Sequence, residues 1–339
     1  MGGVEKASCT LANALCEAGY QMKYLALIPE NPFFTLLDEV EYSEPIGFNE
    51  RTMSLLKTLR FIRKHIIEYK PQEIIAFTKF YASLANLALV GTKYKVIFSE
   101  RSSPFYKWPG YIDMFCKLSI TLKKPKAIIS QTLTASVYQK KFYGNVPYYV
   151  IPNIIQPPIL YPGIQREPFI LCVGRFNDSC KGFDLMVQSF NILSNKNWEL
   201  HFAGGDVEEA ESLIKLIKPE RRNNVKFLGK INPVDQLYAR AGIFVIPSRI
   251  EGFPNALAEA MSAGVPSISF DFVAGPRDII KENEDGIIVE KENVYALAQA
   301  IDSLIDNEFM RNKLSQNAMV NSIKFNKSSV IMQYKAILN

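Results

Sequence analysis

Ala7, Leu11, Ala14, Leu15 and Ala18 recur at helical spacing near the start of the chain, and Gly19 follows as a stop signal. Short, apolar, β-rich runs come next, at residues 22–28, 73–77, 95–99, 127–130 and 148–151, with helical stretches between most of them. Such alternation predicts parallel sheets covered by helices on both faces. The run Pro152-Asn153-Ile154-Ile155-Gln156-Pro157-Pro158, followed by Pro162-Gly163, can continue neither regular structure. The pattern then restarts, with strands expected at 169–173, 198–203, 225–228, 243–246, 266–270 and 286–290. Helices fit 183–193, 208–217, 255–263 and 294–305. The chain is therefore expected to be α/β, with two doubly wound domains facing across a cleft and ligands bound at strand C-termini. Residues 1–151 would form the first domain, 152–166 the linker and 167–320 the second, with 321–339 a final helix packing back towards the first.

The opening residues qualify this picture. Met1-Gly2-Gly3-Val4-Glu5 reads as a glycine turn leading directly into a helix, and such a turn normally follows a first parallel strand. Nothing precedes it here. The expectation is an internal or truncated start and an N-terminal sheet lacking one inner strand.

A length of 339 residues agrees with two domains, because one core rarely organises so much chain. With 48% hydrophobic and 22% charged residues, the composition is that of an ordinary globular protein. No apolar run reaches the roughly 18 residues that span a bilayer, and no signal-peptide pattern opens the chain. Five cysteines, odd in number and without a C-x-x-C pair, read as buried thiols of a reducing compartment, hence a cytoplasmic location.

The formal charge of +5 is unevenly spread. Between Arg101 and Lys141, Arg101, Lys107, Lys117, Lys123, Lys124, Lys126, Lys140 and Lys141 face one acid, Asp113, with Phe105, Tyr106, Trp108, Tyr111 and Phe115 interleaved. A solvated face explains this as well as a surface for anionic lipid or a phosphate-bearing acceptor does. Nucleic acid is the weaker reading, since no recognised binding motif accompanies the charge.

Chemistry concentrates in Pro247-Ser248-Arg249-Ile250-Glu251-Gly252-Phe253-Pro254-Asn255, which runs on to Glu259-Ala260-Met261. A buried-type strand ends in this loop and a helix begins near Pro254, a residue suited to a first turn. Glu251 falls on the loop and Glu259 inside the helix. The helix N-terminus between them offers free amides and a positive dipole end, which suits an anion. On spacing alone, a helix-start acid plus a surface acid is the plainer explanation. A second element changes the balance. After the strand 169–173 come Gly174-Arg175-Phe176 and then Lys181-Gly182-Phe183-Asp184, so Arg175 and Lys181 would project towards the same cleft. Two fixed cations there suit a diphosphate leaving group.

Taken together, Gly174-Arg175-Phe176, Lys181-Gly182, Phe227-Leu228-Gly229 and the Pro247–Ala260 segment resemble retaining glycosyltransferase family four, of GT-B fold, in order and in separation. The opening Gly2-Gly3-Val4-Glu5-Lys6-Ala7 is similar to that family's glycine-rich N-terminal loop. The resemblance implies Rossmann-like domains, the first for the acceptor and the second for the nucleotide-sugar donor. It implies that Glu251 holds donor sugar hydroxyls and Glu259 the ribose, as in the family's E-x7-E motif. Gly252, Phe253, Pro254 and Asn255 would approach sugar and diphosphate, with Gly174, Gly2 and Gly3 also on the donor side. Arg175 and Lys181 would clamp the diphosphate, and Glu251, Arg175 and Lys181 together would carry catalysis. Retention in the family is often described as front-face attack.

The implied reaction moves a hexose or N-acetylhexosamine, with UDP the expected nucleotide, to a glycan acceptor carried on lipid. It would serve surface polysaccharide synthesis, on the inner face of the cell membrane, through an anionic surface met by the basic N-terminal half. Family members often carry a histidine near the reacting sugar. Here Ser99-Glu100-Arg101-Ser102-Ser103 occupies that loop, making Glu100 and Arg101 the acceptor-side candidates, while His65 and His201 read as structural. No D-x-D occurs, so no metal and no other cofactor is expected. An epimerase of the same fold and a non-catalytic sugar-nucleotide-binding partner protein are the rival readings.

Overall fold

The computed structural model describes residues 3–27, 35–45, 55–156, 164–231 and 233–338. The chain forms two compact units: Met1–Ile154 with Lys327–Asn339, and Ile155–Asn326.

In the first unit, helix α1 (Gly3–Glu17) precedes a two-stranded parallel sheet of β1 (Lys23–Leu25) and β2 (Glu41–Ser43). A four-stranded parallel sheet follows, in the order β3 (Ile75–Phe77), β4 (Ile97–Ser99), β5 (Ala127–Ser130) and β6 (Tyr148–Val150). Helices α2 (Leu55–Tyr69), α3 (Lys79–Ala88), α4 (Gly110–Leu122) and α5 (Leu133–Tyr143) alternate with these strands. Every residue of β4 and β5 is buried, which is why both read as unbroken apolar runs. Their side chains divide by the period of two. Phe98 and Ile128 join the core made with Ile62, Leu84 and Cys116, whereas Ile97 and Ile129 join Leu11, Leu15, Val330 and Tyr334. Helix α13 (Lys327–Leu338) thus helps to cover the face that α1 covers. No strand pairs β1 with β3 among the described residues.

The second unit is one six-stranded parallel sheet, ordered β12 (Ile287–Val289), β11 (Ser267–Phe270), β10 (Ala241–Ile246), β7 (Glu167–Val173), β8 (Glu199–Ala203) and β9 (Val225–Phe227). Its helices are α6 (Phe183–Ile192), α7 (Glu211–Ile214), α8 (Asp235–Arg240), α9 (Asn255–Ser262), α10 (Pro276–Ile279), α11 (Val294–Asp306) and α12 (Glu308–Ser322). From β7 the chain builds outwards through β8 and β9, then crosses back to β10 and builds the other way. The strand order reverses between β7 and β10, and an open α/β sheet binds ligands at such a reversal, beyond the strand C-termini.

The fold is α/β with parallel sheets throughout the described residues. Two elements differ from expectation. The span 208–217 is a 3-10 turn, Val207–Ala210, leading into a single helical turn, α7. Pro219 holds Lys218 extended and stops further winding. Strand β2 (Glu-Tyr-Ser) has no apolar signature to announce it. No helix of the described residues is long and apolar enough to cross a membrane.

Candidate active site

Two loops meet where the strand order reverses. One leaves β7 and passes through the 3-10 turn Ser179–Lys181 into α6, and the other leaves β10 and enters α9. They are tied by Arg249. Its backbone N–H donates to the Cys180 carbonyl at 2.8 Å, and its guanidinium donates to the Ser179 carbonyl at 2.9 Å. The same guanidinium makes a two-pronged pair with Asp184, at 2.8 and 2.7 Å, and holds that carboxyl below its ordinary range. Gly182 makes the approach possible. Its φ is +66°, and a Cβ there would lie 1.9 Å from the Pro247 carbonyl oxygen. Only glycine fits such a contact.

Inside this tie sits a cluster of charged and polar side chains. Lys181 Nζ donates to Glu251 Oε1 at 2.7 Å, and Ser248 Oγ donates to the same oxygen at 2.9 Å. Glu251 and Lys181, 70 positions apart, are thereby brought together. Arg175 is not brought to them. Its side chain is 63% exposed and pairs with Asp178 Oδ2 at 2.7 Å, along its own loop. Burial pushes the Asp178 carboxyl up, but the Arg175 guanidinium and the Cys180 backbone N–H outweigh it and hold it low.

Gly174 lies at the end of β7, with its backbone N–H on the Ala203 carbonyl at 2.8 Å, and its own Cβ position is 3.2 Å from Lys181 Cδ. Phe253 and Pro254 are buried, Phe253 with its ring edge-on to Phe325 at 5.7 Å, while Gly252 and Asn255 are half-buried. Asn255 opens α9, so the first turn of that helix starts beside Glu251 in sequence. Glu259 lies further along α9, where the Tyr238 hydroxyl donates to its Oε2 at 3.1 Å. Tyr238 comes from α8 and is buried, which pushes its phenol well above its ordinary range. Gly3 is the first residue of α1, and Gly2 lies outside the described residues.

In the first unit, Glu100 and Arg101 follow β4 and are both buried. Glu100 Oε2 accepts from the Tyr143 hydroxyl at 2.7 Å, and burial pushes its carboxyl up. Arg101 donates to Ser99 Oγ at 2.9 Å, to Asn153 Oδ1 at 2.6 Å and to the Tyr334 hydroxyl at 2.7 Å. His201 is stacked on Phe169 with ring centroids 4.2 Å apart and bonded to Glu199 at 2.7 Å; His65 lies edge-on to Phe61. The five thiols are free, although Cys16 and Cys180 are only half-buried.

Sequence reasoning missed Tyr238, Ser248 and the Arg249–Asp184 tie. Ser248 and Arg249 lay inside the motif and were legible as polar residues. Tyr238 and Asp184 carried no spacing signal, because their partners are brought to them by the sheet.

Residues 162–320 match the family profile described as Glycosyl transferases group 1. An uncharacterized glycosyltransferase of Haemophilus influenzae is 26% identical over 99% of this chain and 96% of its own. A Campylobacter jejuni protein, named GalNAc-alpha-(1->4)-GalNAc-alpha-(1->3)-diNAcBac-PP-undecaprenol alpha-1,4-N-acetyl-D-galactosaminyltransferase, is 26% identical over 94% of this chain and 89% of its own. Among solved structures, Anabaena HepE in complex with UDP superposes with a TM-score of 0.84 over 99% of this chain and 96% of its own, at 15% identity, a likeness of fold. The group 1 profile thus lies over the loops just described, proteins named as glycosyltransferases are similar to the chain along nearly its whole length, and its fold is that of the GT-B glycosyltransferases.

Proposed function

We propose that this glycosyltransferase moves a hexosyl or N-acetylhexosaminyl group from a UDP-sugar to a glycan carried on a lipid diphosphate. The new bond would keep the donor's anomeric configuration, need no metal, and form at an anionic membrane surface during polysaccharide synthesis. The observation that carries the reading is the Lys181–Glu251–Ser248 cluster beside the start of α9. A lysine ammonium and the amides of a helix N-terminus suit a diphosphate, whose charge grows as the sugar bond breaks. A carboxylate beside them is unsuited to an anion but accepts hydrogen bonds from sugar hydroxyls. Glu259, steadied by Tyr238, provides a second acceptor for a ribose. Lipid-linked acceptance is supported by the name of the Campylobacter jejuni relative. Metal independence rests on the missing D-x-D motif, since the sequence supplies no paired aspartates for a metal–diphosphate bridge.

A panel of UDP-sugars tests the reading, first by thermal protection and then by turnover on a lipid diphosphate-linked glycan. The expected result is protection by one donor class, an α-linked product from an α-linked donor, and unchanged turnover in excess chelator. An inverted product, or activity lost with chelator and restored by magnesium or manganese, refutes that part of the proposal. Release of free nucleotide and free sugar alone would favour the epimerase.

A further inference from the structure

Helix α4 buries Ile112, Cys116 and Ser119 against the rest of its unit, as a surface helix should. Its opposite side is also apolar. Tyr111, Met114, Leu118 and Leu122 are 66%, 69%, 52% and 55% exposed. Their spacing of three and four residues places them on one stripe along a helix roughly 20 Å long. Single exposed hydrophobes are ordinary; a continuous stripe marks a surface that something covers. The apolar surface continues beyond α4. Phe105 meets Tyr138 of α5 edge-on at 4.8 Å, and Leu133 and Val137 of α5 are exposed as well.

Charge selects the occupant. Lys107, Lys117, Lys124, Lys140 and Lys141, all in α4, α5 or the residues flanking α4, are exposed. Asp113 is paired with Lys79 at 3.0 Å, so the one acid of this stretch is already neutralised. Lys123 and Lys126 are engaged elsewhere, Lys123 on the Thr92 carbonyl at 2.7 Å and Lys126 on Glu73. An apolar stripe flanked by long cationic side chains matches the interface of an anionic bilayer, where the apolar groups enter the acyl boundary and the lysines reach the headgroups.

We propose that the outer stripe of α4, with its flanking lysines and the exposed face of α5, seats this protein on an anionic membrane surface. The proposal rests on the lipid-linked acceptor read above for its purpose, and on the stripe for its chemistry. It differs from purely electrostatic attachment in one respect. Apolar insertion survives salt, whereas attraction between exposed charges decays over about 10 Å at 0.1 M salt.

The test uses the full chain and vesicles of equal parts phosphatidylglycerol and phosphatidylcholine, in cosedimentation at low and high salt. Wild-type protein should bind, with a fraction that persists in high salt. Met114→Gln/Leu118→Gln/Leu122→Gln should lose at least about tenfold in partitioning, with an unchanged melting temperature, because these side chains are exposed. Lys107→Gln/Lys124→Gln/Lys140→Gln/Lys141→Gln should lose the salt-sensitive part alone. Wild-type protein that ignores these vesicles, or a triple variant that binds like wild type, overturns the proposal. So does a wild-type dimer dissolved by the triple variant without any vesicle binding, which would assign the stripe to a second copy. Turnover on a detergent-solubilised acceptor separates the two readings. Its absence in wild type, with vesicle binding intact, counts against the proposed reaction and not against the stripe.

Discussion

Lys181 and Glu251 neutralise one another at 2.7 Å, with 24% and 14% of their side chains exposed. A diphosphate arriving beside them would compete with the carboxylate for the ammonium, and a sugar hydroxyl would donate to the carboxylate. Removing either group deletes a charge-assisted bond worth about 1.5–3 kcal/mol, which corresponds to roughly ten- to hundredfold in turnover. Lys181→Ala and Glu251→Gln are each expected to lower kcat by that factor while leaving the melting temperature near wild type. Arg175→Ala should fall in the same range, through a guanidinium that must leave Asp178 to meet the donor. Wild-type turnover in both cationic variants, Lys181→Ala and Arg175→Ala, would remove the diphosphate clamp from the mechanism. Lys181 and Glu251 stood out in the sequence as loop residues following strands, whereas Glu259, inside α9, was singled out only by the resemblance of its E-x7-E spacing. Tyr238 was not, because a tyrosine before a strand looks like core until its hydroxyl is seen on Glu259.

The elements around these residues explain how far the sequence could be read. Strands buried on both faces, such as β4, β5 and β10, appear as apolar runs because no position alternates with solvent. Strand β2 was illegible for the opposite reason: pairing with β1 decided it, and pairing does not act through local apolar pattern. The sequence placed the two site loops at the same cleft, but their backbone contact at Gly182 was invisible in it. Gly182→Ala places a Cβ 1.9 Å from the Pro247 carbonyl oxygen at a left-handed φ, so the loops must part. A cost of about 1–3 kcal/mol in stability is expected, with loss of donor affinity, because Lys181 and Ser248 sit on either side of that contact. Gly174→Ala is the control. Its Cβ would come within 3.2 Å of the Lys181 side chain and of the buried Phe183 ring, with no backbone in the way, and should cost less stability than Gly182→Ala. Urea unfolding and donor titration of both variants measure this; a Gly182→Ala protein that binds donor like wild type would show that the contact does not shape the site.

At the scale of the whole chain, the first unit is closed by residues from its far end. Val330, Ile331, Tyr334 and Ile337 of α13 join the core formed with α1, β4 and β5. Arg101 fastens that closure, since its three hydrogen bonds reach Ser99, Asn153 and Tyr334, the last 233 positions away. Gln131 donates to the same Asn153 oxygen at 3.0 Å, and the guanidinium lies 5.2 Å from the centre of the Phe77 ring. An arginine so placed is buried with a bond from each of its three nitrogens, which suits a positioning role better than contact with an acceptor. Lysine could not replace it, because a point charge cannot reproduce a planar fork. Arg101→Ala should therefore destabilise the first unit by about 1.5–3 kcal/mol, the worth of a hydrogen bond to a charged group. Arg101→Lys should recover only part of that loss, and Tyr334→Phe should show a smaller one. Donor affinity, which the proposed function assigns to the loops after β7 and β10, should stay at the wild-type value in all three. Chemical unfolding and donor calorimetry decide the matter. Full stability in Arg101→Ala, combined with a large fall in turnover, would return this residue to the acceptor side and leave α13 held by its apolar contacts alone.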